Sequence, residues 1–173
     1  MEKSYVTYYL SEINSSNDLE NLRNIRNECR CFMTRCTKEI PIEDQKKWFE
    51  SIDKNKIKPF LFQEIYDGIL ICGPVGYGLL RIEDDCVLIS GGLNSDYRGK
   101  GFGFVLFNLL INESKKYNLP IRLEVLKSNT VAVHLYNKLG FTKVKENDTI
   151  CEMTYQGVDN DSVVQSKDVT ESI

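Results

Sequence analysis

The sequence predicts a mixed α/β (α+β) domain with about seven strands. Short β-rich runs alternate with segments in which apolar residues recur every three or four positions, the spacing of an amphipathic helix. With 173 residues, of which 42% are hydrophobic, the chain is long enough to bury one substantial core. The predicted element order is β-α-α-β-β-β-α-β-α-β-β, and residues 1–156 are expected to form a single domain.

One strand and two helices are predicted first. Residues 5–13 alternate and are rich in β-forming side chains, which favours a strand. Asn17 or Asp18 is expected to cap the first helix. Its apolar residues follow helical spacing: Leu19, Leu22, Ile25 and Cys29. Pro41 and the acidic residues after it favour the start of a second, shorter helix.

Three strands are predicted next. Residues 59–66 and 68–83 form two of them, joined by Asp67 and Gly68, a dipeptide that favours a tight hairpin turn. The apolar run 86–93 is the fourth strand of the chain. It leads directly into a glycine-rich stretch and then into an amphipathic helix.

The remaining elements follow that helix, which is expected to end before Pro120. They are a strand, a helix and a final hairpin: residues 121–126, 130–139, 141–145 and 149–155. Asn129 is a favourable cap for the last helix. Gly140 is well placed to end it in a left-handed conformation.

The glycine-rich stretch 94–103 places three glycines and two cations at a helix start: Gly99, Gly101, Gly103, Arg98 and Lys100. A helix N-terminus carries unpaired N–H groups and a partial positive charge, so it favours a phosphate. Glycines let the backbone approach such a ligand closely. The stretch therefore predicts a site for a phosphate-bearing cofactor.

Two common phosphate-binding patterns do not fit this stretch. The Walker pattern needs Ser or Thr after Gly-Lys, and Gly101 stands there instead. The dinucleotide pattern Gly-x-Gly-x-x-Gly fails because Phe104 occupies the position of its last glycine. The spacing Arg98-x-x-Gly101-x-Gly103 instead resembles the Gln/Arg-x-x-Gly-x-Gly/Ala signature of the GNAT superfamily of N-acetyltransferases.

A second motif about 25 residues downstream strengthens this resemblance. The family pattern runs Leu-Glu-Val, then Asn, Ala, Leu-Tyr and Gly-Phe. This chain has each residue at the usual spacing: Leu123, Glu124, Val125, Asn129, Ala132, Leu135, Tyr136, Gly140 and Phe141. The motif region is similar to that of ribosomal-protein alanine N-acetyltransferases.

The resemblance implies a strongly twisted mixed sheet flanked by helices, with acetyl-CoA as cosubstrate and no metal. It also implies that the fourth and fifth strands, residues 86–93 and 121–126, splay apart so that their backbone groups can pair with pantetheine. Residues expected to bind the cofactor are those of the splay, the glycine-rich stretch and the last helix: Leu93, Arg98, Gly99, Lys100, Gly101, Phe102, Gly103, Asn129 and Ala132.

Tyr136 and Glu124 are the candidate catalytic residues. In the family the tyrosine at the position of Tyr136 lies near the sulfur, where it can protonate the departing thiolate; an aromatic of the buried helix face is the alternative. Glu124 is the candidate base, since alternation turns it away from Leu123 and Val125. A water relay through an acidic cluster is an alternative: Glu83, Asp84 and Asp85. His134 is expected to lie exposed on the helix flank.

Composition excludes several other classes of protein. A net charge of −3 argues against a general nucleic-acid or membrane-surface binder, and no apolar run reaches the roughly 20 residues that span a bilayer. The N-terminus lacks the apolar core of a signal peptide, so we expect a cytoplasmic protein. Cys29, Cys31 and Cys36 lack a nearby fourth ligand for zinc, which favours reduced thiols. Residues 157–173 are polar and predict a disordered tail.

The acceptor is not identified by the sequence, because the scaffold serves many amines. We expect an amine on a small molecule, peptide or protein, with neither nucleic acid nor membrane as partner, and the choice between monomer and homodimer stays open. Two segments are expected to vary with the acceptor: residues 29–49 and the turn at 146–148. A non-catalytic CoA-binding or regulatory module is the rival interpretation.

Overall fold

The computed structural model describes residues 5–35, 37–67, 69–70 and 73–157. The strands are β1 Val6–Glu12, β2 Ile57–Tyr66, β3 Ile69–Leu70, β4 Gly76–Ile82, β5 Val87–Leu93, β6 Ile121–Leu126, β7 Phe141–Glu146 and β8 Ile150–Tyr155. The helices are α1 Ser16–Glu28, α2 Ile42–Ser51, α3 Phe102–Lys115 and α4 Thr130–Lys138, with 3₁₀ turns at Arg30–Phe32 and Ser95–Tyr97. The tail predicted from residue 157 lies, after Gly157 itself, outside the described residues.

All the strands belong to one mixed sheet, in the order β1-β2-β4-β5-β6-β8-β7, with the short β3 paired to β2 off this path. Every strand pair is antiparallel except β5 with β6, which is parallel. The α/β class, the mixed sheet and the flanking helices agree with the prediction.

One strand prediction was wrong. The run 68–83 is not a single strand, because residues 73–75, between β3 and the start of β4 at Gly76, are not in a strand. Pro74 accounts for part of the break, because proline has no N–H for the ladder. Tyr66 pairs with Ile69 in register, which agrees with the predicted hairpin, although Gly68 of its turn lies outside the described residues.

The first helix begins earlier than predicted. The Ser15 side chain, and not that of Asn17 or Asp18, caps α1 by accepting a hydrogen bond from the amide of Asp18 at 3.1 Å. The Asp18 carboxylate in turn accepts a hydrogen bond from the backbone amide of Asn14, the residue before Ser15, at 3.1 Å. This reciprocal arrangement resembles a capping box and explains the shift of the helix start.

Two apolar clusters cover the faces of the sheet. One lies between the sheet and helices α3 and α4, and it includes Leu106, Leu110, Leu123, Tyr136 and Phe141. The other lies under α1 and includes Leu22, Ile25, Leu61 and Tyr77, with Trp48 of α2 packed against it. Alternate residues of the central strands therefore face different helix layers.

The central strands β5 and β6 separate after a short contact. Their parallel pairing consists of Val87 with Ile121 and Leu88 with Arg122. Residues 89–93 stay paired to β4 on their other edge. The predicted splay is confirmed, and it opens the sheet between the helix layers. In the described part of the chain, no helix is long and apolar enough to cross a membrane.

Candidate functional site

A cavity of about 720 Å³ lies at the splay. Residues 88–93 of β5 form one wall, and Glu124 and Val125 of β6 form another. The glycine-rich stretch and the start of α4 border one end, and residues of α1 and of the 3₁₀ turn that follows it close the face opposite α3. The cavity thus connects the two motifs found in the sequence.

The glycine-rich stretch presents a series of backbone amides at the start of α3. Gly101 is the helix cap with φ +87°, and Gly99 has φ +73°. Both are left-handed values that favour glycine. Among the described residues, no acceptor receives the N–H groups of residues 99–103, whereas Phe104 N–H already bonds the Gly101 carbonyl at 3.1 Å. These free amides can bind an anion.

The start of α4 lies beside this stretch. Asn129 caps α4, since its side-chain oxygen accepts from the amide of Ala132 at 3.2 Å. A Cβ on Gly103 would lie 3.1 Å from a Leu135 methyl carbon, so a larger residue there would require the Leu135 side chain to shift by a few tenths of an ångström. Gly103, Asn129 and Ala132 all line the cavity.

Arg98 does not direct its guanidinium at the free amides. Its Nε donates to the Leu93 carbonyl at 3.0 Å, and its Nη2 lies 3.5 Å from Cys29 Sγ and 3.9 Å from a Glu28 carboxylate oxygen. The guanidinium also lies 5.5 Å from the ring centre of Phe32. Arg98 therefore ties the glycine-rich stretch to the end of α1.

The Leu93 carbonyl is already engaged, because Cys29 Sγ also donates to it at 3.3 Å. Lys100 is exposed and lies outside the cavity lining. Phe102 also lies outside the lining: its ring packs against Tyr8 and Tyr97, at 5.6 Å and 5.3 Å between ring centres. Burial raises the pKa of the Cys29 thiol.

Tyr136 lies on the buried face of α4 and lines the cavity. Its ring packs edge-on against Phe107 at 4.8 Å and against Phe141 at 6.0 Å. Burial raises the pKa of its phenol well above the ordinary value of 10. Among the described residues, none accepts a hydrogen bond from the Tyr136 hydroxyl, which stays available as a donor.

Glu124 is held by two residues from the segment between α1 and α2. Arg35 binds both carboxylate oxygens, through Nε at 3.0 Å and Nη2 at 2.8 Å. Thr34 adds a hydroxyl contact at 3.3 Å. The hydrogen bonds from Arg35 lower the pKa of Glu124 below its ordinary value, so Glu124 is a carboxylate at neutral pH.

Other candidates lie away from the centre of the cavity. His134 is exposed and borders the cavity, as predicted for the helix flank. The acidic cluster Glu83, Asp84 and Asp85 is exposed and lies outside the lining, and Asp85 pairs with Arg122 at 3.1 Å.

The two segments expected to vary with the acceptor differ in position. Phe32 and Arg35 line the cavity, whereas Trp48 and Phe49 pack in the apolar cluster under α1. The turn at 146–148 lies outside the lining, and Glu146 pairs there with Lys127 and Lys143.

Two arginines of the lining were missed from the sequence: Arg26 on α1 and Arg81 on β4. A signal for each existed. Arg81 follows an apolar β-strand pattern at the same parity as Tyr77 and Leu79, and Arg26 stands one turn after Leu22 on the buried side of α1. A charge at such positions predicts either a partner or a ligand.

Comparison with known proteins adds two kinds of match. The family model described as the acetyltransferase (GNAT) family matches residues 19–141. A domain from Methanocaldococcus jannaschii DSM 2661 is similar in structure, with a TM-score of 0.73 and 19% identity over 86% of this chain and 99% of that chain. Spermidine N-acetyltransferase from Vibrio cholerae, solved with CoA and spermine, has a TM-score of 0.72 and 21% identity over 85% and 94%. No curated protein sequence matches the chain.

Proposed function

Because the chain belongs to the GNAT acetyltransferase family, we propose that it moves an acetyl group from acetyl-CoA to a primary amine by direct attack in a ternary complex. The observation that carries this proposal is a single cavity lined both by Gly99, Gly101 and Gly103, whose N–H groups have no acceptor among the described residues, and by Tyr136. One end can bind a pyrophosphate, and the other can supply a proton.

The residues present fit acetyl-CoA. The amides of residues 99–103 offer several donors for the pyrophosphate, and the separated edges of β5 and β6 offer backbone groups for the amides of pantetheine. Gly103, Asn129 and Ala132 line the same cavity. When bound, acetyl-CoA supplies an activated thioester carbonyl and a thiolate leaving group.

Tyr136 is proposed as the general acid. Its hydroxyl lacks an acceptor among the described residues, and burial keeps the phenol protonated across neutral pH because it raises the pKa. The hydroxyl can therefore hydrogen-bond the sulfur as charge develops there and provide a proton to it. Phe107 and Phe141 fix the ring from both sides.

Glu124 is proposed as the group that receives the ammonium of the acceptor. A lysine-like amine is neutral in only about one molecule in a few thousand at pH 7, so it must lose a proton before attack. The Glu124 carboxylate can take this proton directly or through a water. Arg35 must first release it, since the guanidinium occupies both oxygens.

The direct test is a thiol-release screen of acetyl-CoA against amines, amino sugars, amino acids and peptides. We expect turnover with at least one class. Tyr136→Phe should lower kcat at least tenfold and change the Kd for acetyl-CoA by less than about threefold. Tyr155→Phe is a matched control, because Tyr155 packs against the same Phe141 ring at 5.3 Å but lies outside the cavity. An unchanged kcat in Tyr136→Phe would remove Tyr136 as the acid.

A non-catalytic CoA-binding module is the second candidate. The observation that favours it is the Arg35–Glu124 pair, which engages the single carboxylate among the described residues of the cavity lining. Acetyl-CoA binding without thiol release, across every class of acceptor, would support the binding module.

A further inference from the structure

The cavity wall formed by α1, the segment between α1 and α2, β4 and β6 carries an excess of positive charge. Three arginines and one glutamate share it: Arg26, Arg35, Arg81 and Glu124. Strand alternation places Arg81 and Glu124 on the α1 side of the sheet, the face opposite that of Leu123 and Val125. Arg26 belongs to α1 itself. Because Glu124 forms its ion pair with Arg35, Arg26 and Arg81 have no ion pair with a carboxylate among the described residues of this wall.

Arg81 lacks a partner of its own. In the part of the chain that the structure describes, no side chain or backbone group forms a hydrogen bond or ion pair with the Arg81 guanidinium. The side chain is half-buried. Burial lowers the pKa of Arg81 and repulsion by Arg35 and Arg26 lowers it further, and attraction by Glu124 and Glu83 offsets only part of this lowering. A half-buried cation with cationic neighbours costs free energy unless an anion joins it.

Arg26 is only partly satisfied. Its Nη1 donates to the neutral side-chain oxygen of Gln45 at 3.0 Å, and its guanidinium lies 5.0 Å from the ring centre of Trp48. Its Nε is buried and has no hydrogen-bond partner. Gln45 and Trp48 hold Arg26 in place but do not compensate its charge.

The position of Arg81 separates it from the pyrophosphate end of the cavity. Arg81 pairs in register with Leu88, near the closed end of the splay, whereas the glycine-rich stretch follows Leu93 at the other end of β5. Five residues of strand correspond to about 17 Å. An anion at Arg81 therefore belongs to the acceptor rather than to the pyrophosphate of CoA.

We infer that Arg81 and Arg26 form an oxyanion subsite, so that the acceptor is a small amine that also carries a carboxylate or phosphate group. This inference rests on the proposed function and names the acceptor class. Guanidinium groups bind both oxyanions through paired N–H donors. An acceptor with an ammonium and an oxyanion also replaces both halves of the Arg35–Glu124 pair, its ammonium meeting Glu124 and its oxyanion meeting the arginines.

This acceptor class differs from the polyamines named for the Vibrio cholerae enzyme. A polycation binds best where several carboxylates surround it. The described lining offers one carboxylate, Glu124, and five basic side chains: Arg26, Arg35, Arg81, Arg98 and Lys138. Spermidine should therefore bind poorly here.

The test measures binding of matched amines to the CoA-saturated protein by calorimetry. Each pair differs only in its oxyanion: amino acids against their amides, and phosphoethanolamine against ethanolamine, with spermidine as the polycation. We expect the acid-bearing member of at least one pair to bind at least tenfold more tightly. The carboxylate and phosphate pairs show which oxyanion the subsite takes. Equal binding within every pair, tighter binding of spermidine, or no binding by any acid-bearing amine overturns the inference.

Arg81→Met should reduce this preference to less than about threefold while the Kd for acetyl-CoA stays within threefold. Its Tm should equal or exceed that of the wild type, because an uncompensated charge is removed. A lower Tm reveals a structural role and counts against the subsite. Arg26→Met should weaken the same preference. Arg122→Met is the control, since Arg122 lies on β6 outside the lining and pairs with Asp85.

Turnover with the same amines separates this inference from the proposed function. If amines are acetylated without any preference for an oxyanion, the subsite fails and the proposed function stands. If no amine is acetylated but acid-bearing amines bind in an Arg81-dependent manner, the subsite stands and the proposed function fails.

Discussion

The Arg35–Glu124 ion pair couples the stability of the fold to pH. Arg35 lowers the pKa of Glu124 in the folded protein relative to the unfolded chain. The stabilisation is therefore complete above the unfolded pKa of about 4.3 and is lost as pH falls through the folded value. Because the Arg35 side chain is half exposed, solvent screens the pair, and the effect is modest.

We predict that Glu124→Gln flattens the fall of Tm between about pH 5 and pH 3, since this variant has no carboxylate to protonate. Thermal unfolding followed by circular dichroism over this range measures it. Glu50→Gln is the control, because Glu50 is an exposed glutamate of α2 with no ion pair among the described residues. The account of the pair fails if Glu124→Gln keeps the acid slope of the wild type.

Some residue roles can be anticipated from the sequence and others cannot. Asn129 as the α4 cap and Gly140 at φ +94° follow from local rules that act within a few residues. The partnership of Arg35 with Glu124 spans 89 residues. Such a contact depends on how α1 and the following segment lie over β6, which no local pattern encodes.

At the scale of elements, the start of α3 depends on a left-handed backbone at Gly101. We predict that Gly101→Val raises the Kd for acetyl-CoA at least tenfold, because a β-branched residue at φ +87° distorts the turn that presents the amides. The strain should also lower stability by roughly 1–3 kcal/mol. Calorimetric titration below the unfolding temperature measures the affinity.

The matched control is Gly73→Val. A Cβ at Gly73 meets no atom within 4 Å, and its φ lies outside the left-handed region. This variant should bind acetyl-CoA as the wild type does. Wild-type affinity in Gly101→Val would show that the turn does not form the pyrophosphate site.

Element boundaries were predicted best where strong local signals exist. The strand Ile121–Leu126 and the start of α4 match the prediction because an apolar alternation and an Asn cap mark them. The break between β3 and β4 was missed, because the apolar composition of residues 69–82 outweighed the signal of Pro74. The start of α1 was missed because Asn17 and Asp18 are also good caps, whereas Ser15 accepts from the amide of Asp18 and the Asp18 carboxylate accepts from the amide of Asn14.

At the scale of the whole molecule, the proposed function places acetyl-CoA between the separated edges of β5 and β6. We predict that saturating acetyl-CoA slows amide exchange in residues 89–93 and 123–126. These segments lie beyond Leu88 and Arg122, the last residues that pair β5 with β6. The β1–β2 ladder, paired from Val6 to Glu12, should change little and serves as an internal control. Hydrogen exchange read by mass spectrometry measures this. Equal protection across the sheet would argue against binding in the splay.

The architecture could be predicted from the sequence to the level of the family, because two motifs fix the strand–helix units on either side of the splay. The acceptor end could not, since its residues come from four separate parts of the chain: Arg26, Arg35, Arg81 and Glu124. Only the folded sheet brings them to one wall. The motif residues therefore carry the proposal for the cofactor, whereas the charges of this wall carry the proposal for the acceptor.

The most direct test of the central claim follows the acetyl group itself. The protein is incubated with acetyl-CoA labelled in the acetyl group and with the panel of amines, and the products are identified by mass spectrometry. We predict one labelled acetyl group on the amine nitrogen of an acceptor, formed at least tenfold more slowly by Tyr136→Phe. Release of CoA without a labelled amide, or label found only on the protein, would contradict direct transfer in this cavity.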